Sequence, residues 1–290
     1  MVSDLIRLSR PKHWIKNVFV FLPVPFALAS GGQLDSIVFL AGLFSICLAA
    51  SALYAVNDAQ DAERDRMHEE KRYRPIAAGR ISVPMAYGWA ALLTAIAVGF
   101  ALYTGRDQVL ILLGLYLVIN LAYSFGAKHV PLLDVFLLSS LYLLRVLLGC
   151  ALLGVPASNW LLVCSYALAL FLSLAKRRAD VVTGLDAAHR PALQGYNQGF
   201  LDQAMGISAS MTVIAYAMYS MDASVRGSVL IPGREFAPLP FVVFGVLDYL
   251  RMAHVDRAGG SPVNMLLTSP TLILAGVGWL GATFWSLRLP

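Results

Sequence analysis

The stretch "YAVNDAQDAERDRMHEEKRYRPIAAGRIS", Tyr54–Ser82, crowds acids and bases into a chain that is otherwise apolar. Apolar runs flank it at Ile37–Val56 and Pro84–Tyr103. Each is long enough for a bilayer core, which asks for about 17–25 mostly apolar residues per helix. The 290 residues are 58% hydrophobic and 13% charged, with a mean hydropathy of +0.69. A soluble domain of this length has no use for that much apolar surface, so the composition predicts an all-α polytopic membrane protein.

Outward from the charged stretch, further runs lie at Trp14–Ala29, Gln108–Phe125, Leu132–Leu152, Ser158–Ala175, Ala204–Met221, Phe236–Ala253 and Thr268–Leu287. That makes nine candidate spans. Prolines Pro23, Pro25, Pro238 and Pro240 predict kinks or breaks in the first and eighth. With a cytoplasmic N-terminus, seventeen of the 22 Lys and Arg fall inside, four outside, and Arg145 within a span. This positive-inside bias predicts a multi-pass protein of the plasma (cell inner) membrane. It also accounts for the +5 net charge without a nucleic-acid partner. The opening has the basic–apolar–small pattern of a cleavable leader, which so many later spans make unnecessary. Cys47, Cys150 and Cys164 lie in apolar runs and read as small buried hydrophobes. No boundary divides residues 1–290, and homo-oligomer formation is left open. Two long polar segments, at about 57–83 and 176–203, are where function is expected.

On a helix running on from the second span, Asp61 and Asp65 follow Asp58 by three and seven positions. All three then share one sector, with Asn57 beside them and Glu63 pointing away. Three carboxylates near low-dielectric surroundings repel unless cations sit there. A hard divalent cation such as Mg²⁺ is one such cation; a solvated helix end pairing with Arg64, Arg66 and Lys71 is the alternative. Lys71, Arg72 and Arg74 follow directly. Carboxylates for a metal beside Lys and Arg make a diphosphate site, the bases neutralising what the metal does not.

"NDAQDAERD" resembles the NDxxDxxxD signature of the UbiA superfamily of intramembrane prenyltransferases. "KRYRPIAAGRIS" is similar to that family's RPLxxGxIS continuation, and "YSFGAK", Tyr123–Lys128, to its second-loop motif. The resemblance covers essentially the whole chain. It implies nine helices around a central cavity, with Mg²⁺ held by Asn57, Asp58, Asp61 and Asp65. Members of the superfamily that move prenyl groups carry a second acid-rich motif after the sixth span. Here that place reads "SLAKRRADVV", with one acid, Asp180, behind Lys176, Arg177 and Arg178.

The segments "RLSRPKHWIKN", "KHVPLLDVFLLSSLYLLRVLLG", "KRRADV" and "HVDRAGGSPVNMLL" are similar to the decaprenyl-phosphate phosphoribosyltransferase branch, Ser269 standing where that pattern has an acid. The branch implies Mg²⁺-dependent transfer of 5-phosphoribosyl from phosphoribosyl pyrophosphate to a polyprenyl (decaprenyl) phosphate, releasing pyrophosphate, for cell-wall arabinan precursors. The alternative within the superfamily is prenyl transfer to an aromatic or other acceptor. Transport is disfavoured, since the acids have no counterpart on the outer side. Candidate catalytic groups are Asp58, Asp61, Arg145 and Lys176. Candidate substrate contacts are Lys16, Asn17, Lys71, Arg72, Arg74, Tyr123, Lys128, Arg177, Asp180, Arg190 and Tyr196. A charge in mid-span, as at Arg145, marks a cavity by default; a substrate phosphate or an ion pair with Asp134 would each explain it.

Overall fold

The structure is a computed structural model that describes residues 2–184, 191–222, 229–255, 265 and 268–288. The regular secondary structure of those residues is all helical, apart from one isolated antiparallel bridge between Leu230 and Leu287. Helix α1 (Val2–Ser9) buries Leu8 and ends at Arg10, which is left-handed at φ 47°. The expected first span is a 3₁₀ run, Pro11–Phe21, followed by the short helix α2, Val24–Ala29. Pro23 and Pro25 supply no backbone donors there, so one continuous α-helix cannot form.

Helix α3 (Ser36–Gln60) starts where Asp35 accepts from the Ile37 and Val38 amides. A short helix, α4 (Ala62–Arg66), follows, and then α5 (Val83–Tyr103), capped by Ser82. Next come α6 (Asp107–Ser124), α7 (Leu133–Leu153), α8 (Asn159–Val182) and α9 (Gln198–Met221). The last two are α10 (Leu239–His254) and α11 (Pro270–Ser286). Six helices, α3 and α5 to α9, are long and apolar enough to cross a membrane. The broken first span and the 16- and 17-residue α10 and α11 occupy the other three expected places.

Two expectations change. Pro240 does not kink the eighth span: it lies in the first turn of α10, where a missing amide costs nothing. The sixth span does not stop at Ala175 but carries Lys176–Asp180 onward as helix.

Helices α3 and α7 form the centre of one half, each with 61% of its apolar window buried, whereas α5 and α6 have 28% and 17%. The outward faces of the peripheral helices carry exposed Ile111, Val118, Ile207 and Ile214, as lipid-facing surfaces should. A second apolar cluster joins α8, α9 and α10 around Phe171, Leu201, Met205 and Tyr249. Small residues set the closest approaches: a side chain at Gly149 would strike the Val20 carbonyl at 2.1 Å, so the 3₁₀ run lies directly on α7.

Candidate active site

The acids do not stay on one continuous helix. Helix α3 stops at Gln60, and Asp61 takes φ −87°, ψ 2° before α4 resumes. This break splits the expected trio. Asp58 and Asp65, both buried, converge on one guanidinium nitrogen: Arg74 Nη1 donates to Asp58 at 3.0 Å and to Asp65 at 2.6 Å. Asp61 instead accepts from Lys128 Nζ at 3.0 and 3.1 Å and from the Asn57 amide at 3.2 Å. Asn57 therefore orients Asp61. Glu63 is exposed, as its helical phase predicts.

Arg10 completes the cluster. Its Nη2 donates to both oxygens of Asp58, at 2.6 and 2.8 Å. The guanidinium lies 5.2 Å from the Tyr54 ring centroid, one helical turn before Asp58. Arg10 occupies its left-handed corner because α1 is pinned on both sides. Ser51 donates to the Ser9 carbonyl, Trp89 donates to the Ser9 hydroxyl, and Trp14 donates to Ser51. Arg80 ties α1 to the loop after α4, donating to Asp4 at 2.8 Å and to the Tyr73 carbonyl. Sequence reading counted Arg10 only as a topological charge. The signal was its place before Pro11, where the chain must turn.

Three carboxylates thus face three cations. Burial pushes the Asp65 carboxyl up from the usual range, against the opposing pull of Arg74 and, more weakly, of Lys71. Lys71 is thereby brought to the cluster. Arg72 is not: it is exposed and stacked on Tyr73, donating to that hydroxyl at 2.9 Å. Within the 3₁₀ turn at Lys71–Tyr73 its contact is with Tyr73 rather than with Asp58, Asp61 or Asp65. Tyr123 is half-buried in the last turn of α6, on the approach to Lys128.

Among the described residues no three Asp, Glu, His or Cys side chains gather tightly enough to hold a metal by themselves. Asp58 and Asp65 nevertheless suit Mg²⁺, which takes one or two carboxylates and completes its shell with water and substrate phosphates. The donors are hard oxygens, and a cation already sits between them.

Arg145 lies deeper, on α7, and is buried. Its Nε donates to Asn17 Oδ1 at 2.7 Å, Nη1 to the Leu141 carbonyl at 2.7 Å, and Nη2 to the Tyr116 hydroxyl at 2.9 Å. The guanidinium also lies 4.9 and 5.3 Å from the ring centroids of Tyr116 and Tyr142. The expected alternative, an ion pair with Asp134, does not form. Asp134 pairs with Arg177 at 2.8 Å and accepts from the Tyr196 hydroxyl at 2.6 Å.

That second network corrects three further expectations. Arg177 is 1% exposed and lies between Asp134 and Asp180, each at 2.8 Å. A guanidinium so enclosed reaches no substrate. Asp180 is committed to Arg177 and, at 3.5 Å, to Lys176. Tyr196 accepts from the Leu132 amide while donating to Asp134, so it anchors the start of α7 rather than a ribose. Burial, then the bond to Asp134, pushes its hydroxyl well up from the ordinary value, keeping it a donor. Lys176 keeps a 42% exposed side chain at the network's edge.

The segment from Ala127 to Leu132 links the two networks, through Lys128 to Asp61 on one side and the Leu132 amide to Tyr196 on the other. A side chain at Gly195 would meet Pro131 at 2.3 Å, so this contact requires glycine. Arg190, and 256–264 of the late motif, lie outside the described residues. Ser269, where the branch pattern has an acid, caps α11 by accepting from the Leu272 amide.

Comparison with known proteins agrees with this geometry. A family model described as the UbiA prenyltransferase family matches residues 17–218. The decaprenyl-phosphate phosphoribosyltransferase of Corynebacterium glutamicum is 35% identical over 97% of this chain and 85% of its own length. That of Mycobacterium tuberculosis is 31% identical over 97% and 93%. A structure of a UbiA homolog from Archaeoglobus fulgidus bound to DMAPP and Mg²⁺ superposes with TM-score 0.76, at 18% identity, covering 97% of this chain and 98% of that one. With its long apolar helices and a family match along most of its length, the chain is a multi-pass membrane protein and belongs to the UbiA prenyltransferase family.

Proposed function

We propose that the protein transfers the 5-phosphoribosyl group of phosphoribosyl pyrophosphate to a polyprenyl phosphate, releasing pyrophosphate. The observation that carries this reading is similarity along 97% of the chain to enzymes named decaprenyl-phosphate phosphoribosyltransferase. An oxygen of the lipid phosphate bonds to ribosyl C1 as the C1–oxygen bond to pyrophosphate breaks, and the pyrophosphate leaves with the bonding pair. The attacking phosphate is already anionic, so no general base is required. This suits a cluster whose carboxylates, Asp58, Asp61 and Asp65, are all engaged in ion pairs.

Asp58 and Asp65 would hold Mg²⁺, with Asp61 beside them; the ion supplies charge neutralisation for the leaving pyrophosphate. Arg10, Arg74 and Lys128 now neutralise the carboxylates and are 21%, 26% and 14% exposed. When the donor enters, these cations turn from carboxylate to phosphate oxygens. Lys71 lies near the same place. The rest of the chain's work is to align C1 with the incoming phosphate and to exclude water, which would otherwise hydrolyse the donor. The bias of Lys and Arg supports a cytoplasmic position for this end of the bundle, in the plasma membrane.

Incubating the purified protein with labelled phosphoribosyl pyrophosphate and polyprenyl phosphate should give a labelled lipid, and only with a divalent cation. Turnover of a prenyl diphosphate with no such lipid product would overturn the reading.

A further inference from the structure

Lys16, on the 3₁₀ run, and Arg145, on α7, are two cations within electrostatic reach of each other, and among the described residues neither is paired with an acid. Arg145 is 5% exposed, and all its hydrogen-bond partners are neutral: Asn17, Tyr116 and the Leu141 carbonyl. Lys16 adjoins Asn17 and lies within electrostatic reach of Arg145, Arg10 and Tyr142. Among the described residues no hydrogen bond or ion pair holds its ammonium. Two neighbouring charges of one sign in apolar surroundings are costly, and among the described residues no carboxylate is paired with either.

The Arg145 side chain reaches toward the end of α7 nearest the acids. Arg145 is twelve residues into α7, whose first turn follows the Lys128–Asp61 contact. Its side chain folds back along the helix, placing Nη1 on the Leu141 carbonyl one turn nearer that end. Tyr54 lies between, within electrostatic reach of Arg145, Arg10 and Asp58 alike. Asn17 is itself held, donating to Cys47 Sγ at 3.0 Å. The guanidinium is thus aimed by Asn17 and Tyr116, with hydrogens on its Nη atoms still to give.

We infer that Arg145, Lys16 and Asn17 form a phosphate-monoester subsite, separate from the diphosphate cluster. A dianionic monoester cancels both charges, whereas a carboxylate leaves one standing. The transfer proposed above involves two such groups, the polyprenyl phosphate headgroup and the 5-phosphate of the donor. The subsite's place in turnover rests on that proposal, but its binding chemistry does not.

The test is calorimetric binding to the full-length protein in detergent micelles with EDTA present, so that no metal contributes. Farnesyl phosphate is compared with farnesol, and ribose 5-phosphate with ribose. The wild type is expected to prefer the phosphate at least tenfold in one pair. Lys16→Met and Arg145→Gln should each weaken that binding about tenfold to a hundredfold, the worth of a charge-assisted contact. Loss confined to farnesyl phosphate assigns the lipid headgroup; loss confined to ribose 5-phosphate assigns the donor. Lys16→Met preserves the hydrogen bonds around Arg145 and decides the matter if Arg145→Gln does not fold. No phosphate preference in either pair, or full binding by Lys16→Met, overturns the subsite. A protein that binds the monoester through Lys16 yet transfers no phosphoribosyl overturns the proposed function instead.

Discussion

Arg74→Met should make the protein's stability depend on Mg²⁺ in the absence of any substrate. Arg74 Nη1 lies 3.0 Å from an Asp58 oxygen and 2.6 Å from an Asp65 oxygen, so those oxygens are at most about 5.6 Å apart. Without the guanidinium, two unit charges at that distance repel by about 3 kcal/mol at an effective dielectric constant near 20. Methionine preserves the bulk of the stem and removes only the charge. In a chain of this size, about 3 kcal/mol corresponds to a fall of at least about 5 °C in the unfolding midpoint. Thermal unfolding of the detergent-solubilised variant in EDTA should show that fall. Millimolar MgCl₂ should restore most of it, because a divalent cation now enters the place Arg74 held. Sodium chloride at matched ionic strength separates this from general screening. The wild type should respond less to Mg²⁺ alone, since the ion must first displace Arg74. An Arg74→Met midpoint unchanged in EDTA, or lowered but indifferent to Mg²⁺, would refute the view that Asp58 and Asp65 form one cation-bridging pair.

Asp58→Ala and Asp61→Ala should each lower phosphoribosyl transfer by about a hundredfold or more while the protein remains folded and extractable. Glu63→Ala, at an exposed position on the far face, should leave the rate unchanged in the same assay. Arg177→Met should lower stability by about 3–5 kcal/mol, since it strips the ion-pair partner from the buried Asp134 and the shorter of the contacts from Asp180, and thermal unfolding would register it. Lys176→Met should barely move the unfolding midpoint, because its contact with Asp180 is long and its side chain 42% exposed; a rate loss there would therefore report on substrate. Arg10→Lys should raise the KM for the pyrophosphate donor about tenfold, as an ammonium cannot reproduce the two-oxygen contact.

The helical architecture was legible because bilayer length and positive-inside bias act residue by residue along the chain. The acid–base cluster was legible for a similar reason: Asp58, Asp61, Asp65, Lys71 and Arg74 lie within one turn-rich stretch. The break at Asp61 was not. Helical phase assumes a continuous helix, and nothing local in "NDAQDAERD" forces the interruption. Arg10 was missed because its contact with Asp58 spans 48 residues and depends on how Ser51 and Trp89 seat α1. Arg177 and Tyr196 were misplaced for the opposite reason. Polar residues at span ends look available in a sequence, and only the packing of α7 against α8 shows that Asp134 has claimed them.

The two charge networks also bear on which diphosphate the site takes. Around Asp58, Asp61 and Asp65 the neutralising cations are partly exposed, on flexible stems, and free to exchange carboxylate for phosphate. Around Asp134 and Asp180 the neutralising cation is Arg177, 1% exposed and fixed on both sides. A second divalent ion there would have to displace a buried guanidinium or sit against it at like charge, and either costs several kcal/mol. Among the described residues, then, Asp58 and Asp65 suit a metal and Asp134 with Asp180 do not. The deeper positive charge comes from Arg145, held by Asn17 and Tyr116, and from Lys16, where the inferred subsite would receive a phosphate without a metal. One exchangeable acid cluster with a separate cationic pocket suits a donor and an acceptor that both carry phosphate. A prenyl diphosphate with an uncharged aromatic acceptor would leave the second pocket's charge unanswered.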